Sequence, residues 1–266
     1  MGSTAFAEPL HVSALDDLGD SKPGAVNKAL SLLDVFRGHG PMGVSEIARR
    51  AHIAKSTAFR LLAHLEEAGF VERVGTDYRL GWRLFELGNG VRHCQPRGLR
   101  DVAAPYLGDL FARTQVVVQL AVLDGTDVMY LDKVYGPGSP KTPSIVGGRV
   151  PATCTALGKA ILAFSDRETV EGVLRGGLIR RTRYSIAEPG RLAQQLRQVR
   201  VEGVAYDREE SALGLVCVAA PIVVNGRAEA AVSVSGPATR FDVDAVAGLV
   251  RRAAVQISRE CPAGTR

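Results

Sequence analysis

Apolar residues in the first third of the chain recur every three or four positions, the spacing of helix faces. Val26, Ala29, Leu30, Leu33 and Phe36 predict a helix over Ala25–Arg37, ending near Gly38-His39-Gly40. Val44 to Ala51 and Lys55 to Gly69 predict two more short helices around a tight turn. In the second, Ala58, Leu61, Leu62 and Leu65 fall at i, i+3, i+4 and i+7, a stripe that must face a core. Ser56, Thr57, Phe59, Arg60, Ala63 and His64 point the other way. Val71–Val74 and Tyr78–Leu80, joined by Gly75-Thr76-Asp77, then read as a short hairpin. Trp82–Gly88 opens another helical stretch. Leu84, Phe85 and Leu87, with Val91, crowd one side of it, a face that covers its own domain or packs against a second copy.

From Leu99 the pattern changes. A helix around Arg100–Thr114 leads into Val116–Leu123, an apolar run rich in β-branched residues, then a turn at Asp124-Gly125-Thr126 and a second strand over Val128–Tyr135. Gly136–Gly148, with three prolines and four glycines, reads as a loop. Helices follow at Ala156–Phe164, Arg167–Leu174 and Leu192–Glu202. Strands at Val204–Asp207, Leu215–Val224 and Ala228–Ser235 come next, the last two joined by Asn225-Gly226, a strong hairpin signal. A closing helix spans about Val243–Arg259. Hairpin-joined strands with helices grouped between them indicate an α+β domain with a mainly antiparallel sheet. The expected organisation is an acidic, disordered leader over 1–21, a DNA-binding domain over 22–81, a linker helix over 82–98 and a second domain over 99–266.

Composition changes this picture little. The 266 residues, 46% hydrophobic and 23% charged, suit a globular protein of two domains. No apolar run reaches membrane-spanning length, and the N-terminus lacks a signal pattern. The four cysteines are scattered without a CxxC, so a reducing cytoplasm is the expected location. The net charge of +5 is unevenly spread: residues 1–21 carry four acids and no lysine or arginine, whereas 22–92 carry eleven basic against seven acidic residues. That excess permits nucleic-acid binding without requiring it.

The pair of helices around the turn matches the helix-turn-helix by which one helix enters the DNA major groove, and the hairpin after it makes the winged variety. An amphipathic helical hairpin in an unrelated core is the plainer reading of the helices alone. Candidate DNA contacts are Ser45, Lys55, Ser56, Thr57, Phe59, Arg60 and His64, with Arg73 and Arg79 of the hairpin facing the backbone. His52 stands where such turns usually carry glycine. Histidine is among the residues that tolerate positive φ.

Catalytic chemistry finds little footing. Thr155-Ala156-Leu157-Gly158-Lys159-Ala160 resembles a phosphate loop but lacks the earlier glycine, and Ala160 stands where a hydroxyl belongs. All five histidines (11, 39, 52, 64 and 93) precede the second domain, leaving Cys154, Cys217 and its serines without a histidine base and a metal without a histidine ligand. The acids Asp207, Glu209 and Glu210 could form a carboxylate pair, although such clusters are usually solvated or ion-paired. No catalytic residue, metal or cofactor is expected. Asp207, Cys217, Ser233 and Ser235 lie on three successive predicted strands, and Ser233 and Ser235 share a face. They line a binding pocket or, equally, satisfy backbone groups in a loop.

Gly148-Arg149-Val150-Pro151, Thr155–Ala160, Gly203–Glu210, Gly214–Ile222 and Val232–Pro237, in that order behind Ser45–Val71, resemble the IclR family of bacterial transcriptional regulators over about residues 24–260. The resemblance implies a winged helix-turn-helix domain followed by a GAF-like effector domain. It further implies a homodimer or dimer of dimers on a palindromic or nearly palindromic DNA operator, with no membrane association. The implied effector is a small organic molecule, often a carboxylate, and the family's contacting positions fall on Ala156, Leu157, Asp207, Cys217, Ser233 and Ser235. Where some acid-binding relatives carry Gly-Ala, this chain carries the bulkier Ala156-Leu157. The alternative function is a small-molecule hydrolase with an accessory helix-turn-helix domain.

Overall fold

A computed structural model describes residues 24–261. The expected acidic leader over 1–21 lies outside them. The described chain divides between Val91 and Arg92 into two compact units.

The first unit contains α1 (Ala25–Asp34), β1 (Met42–Gly43), α2 (Val44–Arg50), α3 (Lys55–Glu67), β2 (Val71–Val74), β3 (Asp77–Leu80) and α4 (Trp82–Asn89). Leu32, Phe36, Ile47, Ala58, Leu62, Val71 and Tyr78 form its core, so the apolar stripes of three short helices close on one another. His52 adopts φ +54° between α2 and α3, the left-handed turn expected of it. The hairpin gains a third strand, because two-residue β1 pairs with β3 through Met42↔Tyr78. An element so short leaves no periodicity to read. The helix from Trp82 stops at Asn89, and a single 3-10 turn at Arg92–Cys94 follows, so 82–98 is not one continuous helix.

The second unit contains α5 (Leu99–Thr114), β4 (Val117–Asp124), β5 (Asp127–Val134), β6 (Arg149–Pro151), α6 (Ala156–Ala163), α7 (Arg167–Arg175), α8 (Pro189–Glu202), β7 (Ala205–Arg208), β8 (Leu215–Val224), β9 (Arg227–Pro237) and α9 (Val243–Glu260). Its six strands form an antiparallel sheet in the order β6-β5-β4-β9-β8-β7. Asn225 and Gly226 both have positive φ (+53° and +79°), the conformation that a two-residue hairpin turn requires. One sheet face packs against α6 and α8 through Ala121, Tyr130, Cys217, Ala219 and Leu157. The other packs against α5 and α9 through Val118, Leu120, Val218, Val232 and Ile257. Burial on both faces explains why β4 and β8 read as unbroken apolar runs. β6, at the sheet edge, was not legible as a strand because it holds only three residues.

Candidate functional site

In the first unit, α3 turns Ser56, Phe59, Arg60, Ala63 and His64 outward, with Thr57 half-buried beside them. Phe59 is 50% exposed, an unusual position for a phenyl ring unless something covers it. Residue Ala54 at the start of α3 supplies no side-chain acceptor, so the first-turn N–H groups beside exposed Lys55 and Ser56 remain open to a phosphate oxygen. Ser45 is exposed near the start of α2.

The basic residues are not equally available. Arg49 and Arg50 both bind the carboxylate of Glu46 at 2.6 Å. Hydrogen bonds from Arg49 and then Arg50 hold that carboxyl down at about 2. On the hairpin, Arg79 pairs with Glu72 at 2.8 Å, whereas Arg73 lies over the Tyr78 ring and donates to the Gly75 carbonyl at 3.2 Å. Lys55 and Arg60 meet no carboxylate among the described residues. Arg79 must therefore exchange a carboxylate for a phosphate, a small loss for an exposed pair.

In the second unit the sheet register sets the polar groups in adjacent rows. Asp207 pairs with Cys217 and Cys217 with Ser235, while Ser233 pairs with Gln119. Together with Ala156 and Leu157 at the start of α6, all six expected effector residues line one cavity. Gln119, Tyr130, Thr142, Pro143, Ser144, Thr155, Ser211 and Leu215 complete the lining, which encloses about 290 Å³. A wider cleft of about 750 Å³ between β8 and α9 contains none of the six.

Each group has a traceable state. Thr155 caps α6, its Oγ1 accepting from Gly158 N at 3.0 Å. Among Ala156, Leu157 and Gly158, the donors left free by the described residues are therefore the N–H groups of Ala156 and Leu157. Gly158 is a glycine for a steric reason: a Cβ there would lie 2.1 Å from the Ala152 carbonyl oxygen. Both serine hydroxyls reach Gln119 Oε1, Ser233 at 3.0 Å and Ser235 at 2.9 Å, so neither serves a loop backbone. Ser235 Oγ also lies 2.9 Å from Cys217 Sγ. Burial pushes the Cys217 thiol well up and the Cys154 thiol to about 12, which leaves both as protonated, unreactive thiols. Burial also raises the Tyr130 hydroxyl, which faces the cavity with no hydrogen-bond partner among the described residues.

Asp207 does not reach into the cavity as an idle charge. It accepts from Glu210 N at 2.7 Å, Ser211 N at 3.3 Å and Ser211 Oγ at 2.5 Å. Burial pushes its carboxyl up to about 6, against the opposing pull of the Ser211 hydroxyl. The acids beside it are not solvated. Buried Glu210 pairs with fully buried Lys159 at 2.5 Å, and Lys159 also donates to Gln195 Oε1 at 2.9 Å. The lysine of the apparent phosphate loop is thus half of a buried ion pair.

Sequence reasoning missed Gln119, Tyr130 and Ser144. A lone glutamine inside Val116–Leu123 was the available signal, since an amide buried on both sides needs partners. No helix among the described residues is long and apolar enough to cross a membrane.

Residues 92–259 match the family described as Bacterial transcriptional regulator IclR C-terminal, and residues 25–75 match the IclR helix-turn-helix domain. The Transcriptional repressor IclR of Escherichia coli (strain K12) is 33% identical over 229 residues, covering 84% of this chain and 83% of its own. The crystal structure of Thermotoga maritima IclR superposes with a TM-score of 0.75 at 35% identity, covering 88% of this chain and 97% of its own. An IclR homolog from Microbacterium hydrocarbonoxydans, crystallised in complex with 4-hydroxybenzoate, gives a TM-score of 0.81 at 27% identity and covers 89% and 98%.

Proposed function

The chain belongs to the IclR family of DNA-binding transcriptional regulators, and from that premise we propose that a small hydroxylated or oxo-carboxylic acid binding in the second unit controls its hold on DNA. The observation that carries the effector half is the convergence of Ala156, Leu157, Asp207, Cys217, Ser233 and Ser235 on one cavity. The two free N–H groups at the start of α6 suit a carboxylate, since helix N-termini offer unsatisfied donors and partial positive charge. Tyr130 and the two serines add hydroxyls, and Leu157 closes an apolar side. The acid carried by the Microbacterium homolog has this chemistry, which makes 4-hydroxybenzoate the first probe. A thermal-shift screen with 4-hydroxybenzoate, lactate and 3-hydroxybutyrate tests the assignment. Stabilisation by none of these would count against it.

The Asp207 carboxyl gives that binding a pH dependence. Its folded value of about 6 lies above the usual carboxylate value. The native protein therefore holds the extra proton between roughly pH 4 and 6. Whatever stability this group contributes is present below that window and lost as pH rises through about 6. A bound anion favours the protonated form further. Affinity for 4-hydroxybenzoate, whose carboxyl is ionised throughout, should be several-fold higher at pH 5.5 than at pH 7.5. Asp207→Asn should flatten the slope; an unchanged slope in that variant would remove Asp207 as its origin.

For DNA, the reading is that α3 enters the major groove with Ser56, Thr57, Phe59, Arg60 and His64. Ser45, Lys55, Arg73 and Arg79 meet phosphates. Trp82 and Phe85, 70% and 61% exposed and stacked edge-to-face, belong to a face of α4 suited to a second copy of the chain. A two-fold dimer requires inverted half-sites. Selection from random duplexes should enrich such repeats. Arg60→Ala should relax one position in each half by about 1–3 kcal/mol, the discrimination of a bidentate base contact. Alanine at Arg73 or Arg79 should instead weaken all duplexes alike and reduce the salt slope by about one. Equal weakening of selected and random DNA by Arg60→Ala would contradict this docking.

A further inference from the structure

The two serines assigned to the effector are already engaged, and the residue that engages them also holds the cavity's roof. Gln119 is buried, with one end of its amide at Ser233 Oγ (3.0 Å) and Ser235 Oγ (2.9 Å) and the other at Ser144 Oγ (2.5 Å). Turned either way, the amide occupies all three hydroxyls, because each can donate or accept. Ser144 lies in the segment 136–148, between β5 and β6, and Thr142 and Pro143 of that segment also line the cavity. Ser144 is held a second time through its carbonyl, which accepts from Lys133 Nζ at 2.7 Å, and its hydroxyl lies 2.7 Å from Thr142 Oγ1. Gln119 and Lys133 face each other in the β4–β5 register, so one cross-strand pair grips the roof at a single residue. Gly138 and Gly147, both at positive φ, flank the gripped residue.

We propose that Gln119 and Ser144 form a latch on the effector cavity, one that an entering carboxylate releases by taking the serine hydroxyls from the Gln119 amide. This rests on the effector reading above and assigns Gln119 as a further determinant of effector affinity. Two observations require such a step. The enclosed 290 Å³ lies below the usual size of a small-molecule site, so entry must move lining groups. Each hydroxyl has one proton to give, and while both serines are committed to Gln119 a carboxylate gains nothing from them. Breaking those bonds frees the amide from the serines and from Ser144 together, which couples occupancy to the freedom of 136–148.

Hydrogen exchange on the full-length protein without ligand tests the latch first. Gln119→Leu and Ser144→Ala should each speed exchange at Ser144, Ile145 and Val146 about fivefold, the effect of one hydrogen bond on local opening. The double variant should show no more than either single one, because both remove the same bond. Exchange in β8 and β9 serves as the folding control, and Ser144→Ala, altering only a loop residue, stands in should Gln119→Leu perturb the sheet. Unchanged exchange at these amides in Ser144→Ala would overturn the latch. Calorimetry with 4-hydroxybenzoate tests the displacement: both variants should bind about fivefold more tightly than wild type. Weaker binding would make Gln119 an effector contact rather than a competitor and overturn the proposal. If no protein binds 4-hydroxybenzoate, lactate or 3-hydroxybutyrate, the effector reading fails while the exchange result still decides the latch.

Discussion

Replacing Lys159 by methionine should destabilise the second unit by about 3–5 kcal/mol, the cost of leaving a buried charge uncompensated. Lys159 is fully buried and its ammonium is shared between Glu210 at 2.5 Å and Gln195 at 2.9 Å. Glu210 has no alternative: its Oε2 is buried without a hydrogen-bond partner among the described residues, so the lysine is the main compensation for its charge. A loss of this size is a large fraction of the 5–15 kcal/mol typical of a folded domain. The consequence reaches the cavity. Lys159 lies one turn beyond the free N–H groups of Ala156 and Leu157, and Glu210 donates its own N–H to Asp207. The pair therefore ties the start of α6 to the turn that carries Asp207 and Ser211. Urea unfolding, read by exchange in β8 and β9, should show the single variant strongly destabilised. Lys159→Met with Glu210→Leu should recover most of the loss, since exchanging a whole buried pair for apolar groups is often neutral. A double variant as unstable as the single would show that the site depends on the ions themselves.

The parts legible in the sequence are those that periodicity fixes. Ala58, Leu61, Leu62 and Leu65 had to face inward, which left Phe59 and Arg60 outside, and the structure places them there. Ser233 and Ser235 had to share a sheet face, and Asn225-Gly226 had to be a tight hairpin. What could not be read is what depends on residues far apart in the chain. The sequence left open whether the two serines served a backbone or a pocket. Their common partner is Gln119, more than a hundred positions earlier. Lys159 looked like part of a failed phosphate loop because its partner, Glu210, lies fifty-one positions on. Asp207 looked like a charge facing a ligand, yet the turn at Glu210 and Ser211 folds back to occupy it. β1 and β6 escaped because two or three residues carry no detectable alternation.

The largest functional effect should come from the serines. In wild type, an acid effector bound at Ala156 and Leu157 receives hydrogen bonds from Ser233 and Ser235. Each such bond to a charged group is worth about 1.5–3 kcal/mol. Ser233→Ala/Ser235→Ala should therefore require about a hundredfold more effector, or more, for the same response. DNA binding without effector should be intact, because both serines lie in the second unit and the recognition helix in the first. The decisive measurement is fluorescence anisotropy on a duplex selected by the protein itself, titrated with 4-hydroxybenzoate and the other hydroxy acids. The account predicts that at least one acid shifts wild-type DNA affinity and that the double variant needs about a hundredfold higher concentration for the same shift. An identical response from wild type and variant would place the effector elsewhere and contradict the account.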